Sequence, residues 1–314
     1  MTLHNDMAAF RQTILSASAQ LQVIPVFLEK DYWITVLLSR LAGSKYAAST
    51  VFKGGTSLSK GFGIINRFSE DVDIAIINDG NKSGNEIKTI IRTVEKEMTK
   101  GLKELQVSGT TSKGSRFRKA VYAYESMNTG NIANQLIVEV NSFANPFPYQ
   151  PLIIKLMLYD FLVQTGNTDY IAKYNLQPFI LNVLNKEQTL LEKLVSLIRF
   201  SFTENVTAGI GNKVRHFYDL FFLAKDADCK IFIQSKEFKK QFTDILNHDK
   251  DIFDEPAGWK EKAVKESPLI NNFEKIWRTV KEVYKTELAA LAFTAIPDEK
   301  EVAESFVKLT NMIQ

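Results

Sequence analysis

Residues 49–77 constrain the fold of this chain more than any other segment. A short β-branched run, 49–53, stops at Gly54-Gly55, and a second strand-like run covers 72–77 before the turn signal Asn78-Asp79-Gly80. Glycines let the backbone turn sharply between such elements. The segment therefore predicts a strand, a tight turn, a short helix over 56–62 and a second strand, all within a mixed α/β part of the chain.

Hydrophobic periodicity extends this interpretation to the remaining sequence. Further helices are predicted over 7–20, 27–42, 85–105, 213–224 and 269–293, further strands over 119–125, 136–143 and 179–184, and either a strand or a helix over 152–163. From Asn185 onward the pattern is helical, and Asn185 and Gln188 have capping-box spacing. We therefore predict an α/β (α+β) fold in which a mixed-sheet domain, 1–185, precedes a helical domain, 186–314.

Composition excludes several classes of site. The chain has one cysteine, Cys229, and three histidines far apart in sequence, so we expect no disulfide framework, thiolate metal cage or zinc site. The N-terminus lacks a signal-peptide pattern and no apolar run approaches the length of a membrane span, so we expect a cytoplasmic protein with no membrane partner. A net charge of +3 neither requires nor excludes a nucleic-acid partner.

The glycine turn is followed by two hydroxyl residues, in the order Gly54-Gly55-Thr56-Ser57. Glycines permit close approach of the backbone to a ligand, and the free N–H groups at a helix start favour an anion. The two hydroxyls can add hydrogen bonds to phosphate oxygens. We therefore predict a phosphate-binding turn here, with a glycine turn that only caps a helix as the alternative.

Two carboxylates follow at a spacing of two residues, Asp71 and Asp73. On a strand, residues two apart point to the same face. Neighbouring carboxylates repel unless a cation joins them, and Mg²⁺ (or Mn²⁺) suits oxygen ligands and bridges to substrate phosphates. Together with the glycine turn, the pair predicts a triphosphate–metal site; a solvated strand edge is the alternative.

This combination resembles the polymerase-β-like nucleotidyltransferase superfamily, whose pattern is Gly-Gly or Gly-Ser, then Asp-x-Asp on the next strand, then a third carboxylate on a later strand. More narrowly, it resembles the AbiEii/AbiGii toxin family of abortive-infection and type IV toxin–antitoxin systems. Three further stretches carry the narrower resemblance, namely residues 28–33, the extended motif Arg67-x-Ser69-Glu70-Asp71-x-Asp73, and Glu192-Lys193-Leu194 with Tyr218-Asp219-Leu220.

The third carboxylate of the superfamily pattern matches Glu139, the only charge in the apolar run 136–141. A lone charge in such a strand is either exposed to solvent or held by a metal or partner. The superfamily more often has Asp at this position. The resemblance implies a two-metal scheme in which Asp71 and Asp73 hold both ions and Glu139 completes the site for the attacking hydroxyl, accepting its proton.

The resemblance also implies roles for residues outside the carboxylate set. Lys193 would contact the triphosphate, and Asp219 would be the acid of its partner motif. The structural alternatives are an i,i+4 pair between Arg215 and Asp219, or a Lys193–Asp219 ion pair that ties two helices together.

Two further cations, Lys60 and Arg67, are candidate phosphate contacts. Each is equally explained as a solvated charge of a helix or loop.

By the resemblance, the chain transfers a nucleoside monophosphate from an NTP to RNA, such as the 3′ end of a tRNA, and has a cognate antitoxin. Transfer to a protein hydroxyl or small molecule stays open, as does a nucleotide-binding module that acts through a partner without turnover. The densest basic run, 113–119, either guides an RNA backbone or forms a charged β-turn between two strands.

Overall fold

The computed structural model describes residues 1–69, 71–78, 80, 82–127 and 134–314. Glu70 of the extended motif and Asp79 of the predicted turn lie outside the described residues. The chain forms two compact units, the first comprising Met1–Phe62 and Phe68–Leu184, the second comprising Gly63–Arg67 and Asn185–Gln314. The short segment Gly63–Arg67 thus groups with the second unit, although it lies in sequence between two parts of the first.

The first unit contains a mixed sheet with helices. Its helices are α1 (Met7–Leu21), α2 (Pro25–Ala42), α3 (Gly54–Lys60), α4 (Gly84–Met98), α5 (Met157–Gln164) and α6 (Thr168–Lys173). Its strands are β1 (Thr50–Lys53), β2 (Asp71–Ile76), β3 (Lys103–Leu105), β4 (Ser112–Lys113), β5 (Phe117–Ala123), β6 (Gln135–Asn141), β7 (Tyr149–Ile154) and β8 (Phe179–Leu184). The sheet order is β3-β5-β6-β2-β1-β8-β7, with β4 paired to β5.

The sheet contains both parallel and antiparallel strand pairs. β2 runs parallel to β6 and β1 parallel to β8, whereas β1–β2, β5–β6 and β7–β8 are antiparallel. The central strands bury apolar residues such as Val72, Ile74 and Val138, each with no exposed surface. The predicted mixed sheet is therefore confirmed.

Two predicted elements of this unit end elsewhere than expected. The helix predicted over 85–105 ends at Met98, because Gly101 has a φ of +82° and Lys103–Leu105 pairs with β5 as a strand. The ambiguous run 152–163 holds both alternatives, since β7 ends at Ile154 and α5 begins at Met157.

The second unit is helical in the described residues. Its helices are α7 (Lys186–Phe200), α8 (Val206–Gly211), α9 (Val214–Lys225), α10 (Ala227–Gln234), α11 (Lys236–Ile252), α12 (Pro268–Asn271), α13 (Phe273–Leu291) and α14 (Glu299–Ile313). The single helix predicted over 269–293 is two, because Asn272 has a non-helical backbone conformation between α12 and α13. Trp277 and Tyr284 of α13 are buried, as expected of core residues. Across the described parts of both units, no helix has the length and apolarity needed to cross a membrane.

Candidate active site

The predicted carboxylates meet on one face of the sheet in the first unit. In the parallel pair β2–β6, Asp73 is the register partner of Glu139. Register partners on adjacent strands project from the same face, and Asp71 shares that face because it lies two residues from Asp73. The structure therefore brings together the three carboxylates that the sequence and the family resemblance named.

The same row continues across two more strands and carries a cation at each end. Lys53 of β1 pairs in register with Asp73, and Lys119 of β5 pairs with Glu139. The Lys119 ammonium lies 3.7 Å from the Glu139 carboxylate. The row across β1, β2, β6 and β5 thus reads Lys53, Asp73, Glu139, Lys119. We call these four residues the charged row.

Electrostatics in the charged row favour a bound cation. Burial, followed by the negative charges of Glu139 and Asp71, raises the pKa of Asp73 to about 8, although Lys53 and Lys119 act in the opposite direction. A divalent cation relieves this repulsion, and carboxylate oxygens are the ligands that Mg²⁺ prefers.

The three carboxylates interact without converging on one point. Within residues 1–69, 71–78, 80, 82–127 and 134–314, no three His, Cys, Asp or Glu side chains are arranged so that they could hold a metal ion as they stand. The donor chemistry of Asp71, Asp73 and Glu139 fits Mg²⁺ or Mn²⁺.

The glycine turn packs directly against this carboxylate cluster. Gly54 has a φ of +80°, and a Cβ atom added there would lie 2.1 Å from Oδ2 of Asp73. Only glycine fits a position that combines this backbone conformation with so close a neighbour. Helix α3 begins at Gly54 rather than at Thr56, so Gly54 and Gly55 form its first two residues.

The two hydroxyls after the glycines are buried and already donate hydrogen bonds within the protein. Thr56 donates to the backbone carbonyl of Asp71, and Ser57 donates to the carbonyl of Gly54 at 2.8 Å. Phosphate oxygens accept hydrogen bonds, so either hydroxyl would have to give up its present acceptor to contact a phosphate. What the structure shows for Thr56 is a link between α3 and the first residue of β2; a phosphate contact stays a prediction.

Lys60, at the end of α3, has a carboxylate partner. Its ammonium lies 2.5 Å from Oδ1 of Asp31 on α2, and both side chains are buried. The other oxygen of Asp31 accepts a hydrogen bond from the backbone N–H of Met157, the first residue of α5. Asp31 therefore joins three helices of the first unit. No role was predicted for Asp31 alone, although an acid beside Tyr32 and Trp33 on an apolar helix is a detectable signal.

In the second unit, Asp219 on α9 is held by two cations. Arg67 donates from Nε and Nη2 to the two oxygens of Asp219, each at 2.7 Å, and the Lys193 ammonium of α7 lies 2.8 Å from Oδ2. The Asp219 side chain has no exposed surface. Burial alone would raise its pKa, but Arg67 and Lys193 hold the pKa of Asp219 well below its ordinary value.

This arrangement decides between the structural alternatives for Asp219. The Lys193–Asp219 ion pair is confirmed and joins α7 to α9. Arg215 instead lies 3.9 Å from Glu287. His216, also on α9, is kept neutral because burial and then the charge of Lys193 lower its pKa well below the ordinary value.

The basic run 113–119 is divided between the two faces of a β-hairpin. Lys113 and Arg118 are register partners, and they pair with Glu104 and Glu95 respectively. Lys119 projects from the opposite face, beside Glu139. The run therefore forms a charged hairpin between β4 and β5, while its contact with an RNA backbone stays a prediction. Strand alternation could have separated Lys119 from its neighbour Arg118, but not identified Glu139 as its partner.

Comparison with known proteins identifies the chain's relatives. The family model described as "Nucleotidyl transferase AbiEii toxin, Type IV TA system" matches residues 36–301, most of the chain. Among solved structures, MenT4, a nucleotidyltransferase toxin from Mycobacterium tuberculosis H37Rv, is 14% identical, with 86% of this chain and 98% of that chain covered and a TM-score of 0.40.

A second solved structure is an antigenic nucleotidyltransferase-like protein from Paracoccidioides brasiliensis, which is 17% identical over 70% of this chain and 89% of its own, with a TM-score of 0.34. No curated protein sequence matches the chain significantly. The family match confirms the resemblance inferred from the motifs.

Proposed function

The chain belongs to the AbiEii nucleotidyltransferase toxin family of type IV toxin–antitoxin systems, and we propose that it transfers a nucleoside monophosphate from an NTP to a hydroxyl at the 3′ end of an RNA such as tRNA. The observation that carries the proposal is the parallel register of β2 and β6, which pairs Asp73 with Glu139 next to the glycine turn. Carboxylates in this arrangement suit a metal-bound triphosphate.

In this reaction Asp71, Asp73 and Glu139 would hold Mg²⁺ or Mn²⁺, which would supply positive charge to neutralise the triphosphate and the attacking and leaving oxygens. Glu139 accepts the proton of the attacking hydroxyl. The hydroxyl oxygen forms a bond to the α-phosphorus, the bond from that phosphorus to the bridging oxygen breaks, and pyrophosphate leaves. Positioning and charge neutralisation supply most of the rate enhancement in such transfers.

Two sets of residues are proposed as phosphate contacts, each described within its own unit. In the first unit they are Gly54, Gly55, Thr56, Ser57 and Lys60, on the helix that packs against Asp73. In the second unit they are Lys193 and Arg67, with Asp219 orienting both cations through its two oxygens. Lys193 is the stronger candidate for direct contact, because Arg67 already uses two N–H groups on Asp219.

Membership in a type IV toxin–antitoxin family supports a cognate antitoxin as a partner. We propose that NMP transfer to RNA is the toxic activity and that the antitoxin opposes it. Cell growth on expression of the chain gives the measurement. Growth inhibition by the wild type should disappear in the Asp71→Asn, Asp73→Asn double variant.

The chemistry is tested with each α-labelled NTP, Mg²⁺ or Mn²⁺, and total tRNA. Label on tRNA from the wild type, absent from the Asp71→Asn, Asp73→Asn variant and in EDTA, supports the proposal. Label on the protein would show a protein acceptor instead. Tight NTP binding without label on any acceptor would show a binding module and overturn the proposed transfer.

A further inference from the structure

We propose that Lys119 binds the phosphodiester that adjoins the attacking hydroxyl of the RNA acceptor. The acceptor strand then lies over β5, on the side of Glu139 away from the glycine turn. This inference rests on the proposed function and names the residue that receives its acceptor.

The charged row places the glycine turn and Lys119 on opposite sides of the carboxylates. The glycine turn follows directly from β1 and packs against Asp73, so the proposed triphosphate end of the reaction lies on the β1 side of the carboxylates. Glu139, the proposed proton acceptor, lies one strand further along on β6. The next strand outward is β5, and its residue in the row is Lys119. If the attacking hydroxyl of the RNA reaches Glu139, the phosphodiester next to that hydroxyl therefore lies close to the Lys119 ammonium.

The contact between Lys119 and Glu139 leaves this cation available for a ligand. At 3.7 Å the ammonium is beyond hydrogen-bonding distance of the carboxylate, so the interaction does not use its N–H donors. The Lys119 side chain is 32% exposed and the Glu139 side chain 23% exposed. An ammonium with three donors, exposed beside a proton acceptor, suits a phosphate group as a point charge.

Strand alternation gives Lys119 a neighbour suited to act as its control. Lys113 belongs to the same hairpin and has a similar side-chain exposure of 35%, and its ammonium is also paired with a glutamate, Glu104, at 2.5 Å. Its register partner is Arg118, so it projects from the face opposite to the charged row. The two lysines match in charge and in side-chain exposure, but they differ in the face they occupy and in the length of their ion pair, 3.7 Å for Lys119 and 2.5 Å for Lys113.

A second role for Lys119 must be separated from phosphate binding. The positive charge of Lys119 lies beside the proposed proton acceptor Glu139, so its removal could also change the rate of proton transfer and hence kcat. Phosphate binding predicts instead a change in KM for RNA and in the dependence of kcat/KM on salt. Each contact between a cation and a phosphate releases counterions from the RNA, so the loss of one contact makes RNA binding less dependent on salt.

The experiment compares wild type, Lys119→Gln, Lys119→Arg and Lys113→Gln in the full chain. NMP transfer to an RNA oligonucleotide with a free 3′ hydroxyl is measured with Mg²⁺ and NTP from about 50 to 200 mM salt. For Lys119→Gln we expect KM for RNA to rise about tenfold, KM for NTP to stay unchanged, and the slope of log kcat/KM against log salt to become shallower by about 0.7. Lys119→Arg should retain most of the wild-type behaviour, and Lys113→Gln should match the wild type.

The possible failures are distinguishable. A Lys119→Gln variant that behaves like Lys113→Gln, or that loses kcat with the wild-type KM for RNA and the wild-type salt slope, overturns the assignment of Lys119 while the proposed function stands. If the wild type labels no RNA, or labels only protein, the RNA acceptor is wrong and the role of Lys119 is rejected with it.

Discussion

The Arg67 guanidinium and the Asp219 carboxylate form a buried bidentate pair, with Nε and Nη2 each 2.7 Å from an oxygen of Asp219. The Arg67 side chain is 4% exposed and that of Asp219 has no exposed surface. Lys193 shares the second oxygen. Asp219 thus lies between two cations, Arg67 and Lys193. Under the proposed function it would be a positioning residue that acts through them.

The first prediction concerns Asp219→Asn. The amide keeps the shape but removes the buried negative charge that Arg67 and Lys193 share, so we expect the free energy of unfolding to fall by about 3–5 kcal/mol. Urea denaturation monitored by circular dichroism gives the value. Glu287→Gln, which breaks the more exposed pair with Arg215, is the control and should cost less than about 1 kcal/mol. Equal losses in the two variants would contradict the role assigned to the buried pair.

The second prediction separates Lys193 from Asp219. In Lys193→Gln the bidentate Arg67–Asp219 pair persists, so the loss of stability should be smaller than in Asp219→Asn. If Lys193 contacts the triphosphate, NMP transfer should still fall by about 10²-fold or more, with a raised KM for NTP. The assay is run well below the melting temperature of the variant. Activity that falls only in proportion to the unfolded fraction would leave Lys193 with a structural role alone.

The carboxylate face shows which part of the site follows from local pattern. A spacing of two residues places Asp71 and Asp73 on one face of any strand, and a lone acid in an apolar run singles out Glu139. Nothing local, however, determines that β2 lies parallel to β6 with Asp73 opposite Glu139. That register depends on the packing of the whole sheet, and so does the position of Lys119 beside Glu139.

The carboxylate partners of Arg67 and Lys60 could not be predicted from local sequence for the same reason. Arg67 and Asp219 are 152 positions apart in sequence, and Lys60 and Asp31 are 29 apart. Tertiary pairing also overrides helical pattern at residues 103–105, where contact with β5 makes a strand of a segment that periodicity assigns to a helix. An element with a strong pattern, such as α2, needed only small changes at its ends.

The third prediction concerns the linkage between Asp73, pH and metal. Folding raises the pKa of Asp73 from its ordinary 3.8 to about 8, so between these values the folded chain holds more protons than the unfolded chain. This contribution to stability is therefore fully present below pH 3.8 and is lost as pH rises through about 8. In EDTA near pH 8, Asp73→Asn should melt a few degrees above the wild type, because the amide removes the repulsion from Glu139 and Asp71.

With Mg²⁺ bound, the wild type should instead melt above Asp73→Asn. Binding of Mg²⁺ requires ionised Asp73, so it should release a proton below about pH 8 and tighten as pH rises towards that value. Thermal melts with and without Mg²⁺, and calorimetric titration in two buffers of different ionisation enthalpy, measure both effects. Asp244→Asn, on an exposed residue of α11, should behave as the wild type. Stabilisation of Asp73→Asn by Mg²⁺ to the same extent as the wild type would exclude Asp73 as a ligand.

The last prediction uses two glycines with nearly the same backbone conformation. Gly54 has a φ of +80° and Gly80 a φ of +79°, so alanine at either position carries a similar conformational cost of about 1–2 kcal/mol. At Gly80 an added Cβ meets no atom of the described residues within 4 Å, whereas at Gly54 it would lie 2.1 Å from Oδ2 of Asp73. Gly54→Ala must therefore displace the Asp73 carboxylate or the start of α3.

Because small displacements of a catalytic group cost about 10²-fold in rate, Gly54→Ala should lose NMP transfer to that extent while Gly80→Ala retains it. Both variants should melt below the wild type, with Gly54→Ala lower of the two. The comparison is made on RNA labelling at a temperature where both remain folded, together with Mg²⁺-dependent stabilisation. If Gly54→Ala keeps the wild-type rate, the contact between the glycine turn and Asp73 has no part in holding the triphosphate site, and the proposed site would have to move away from α3.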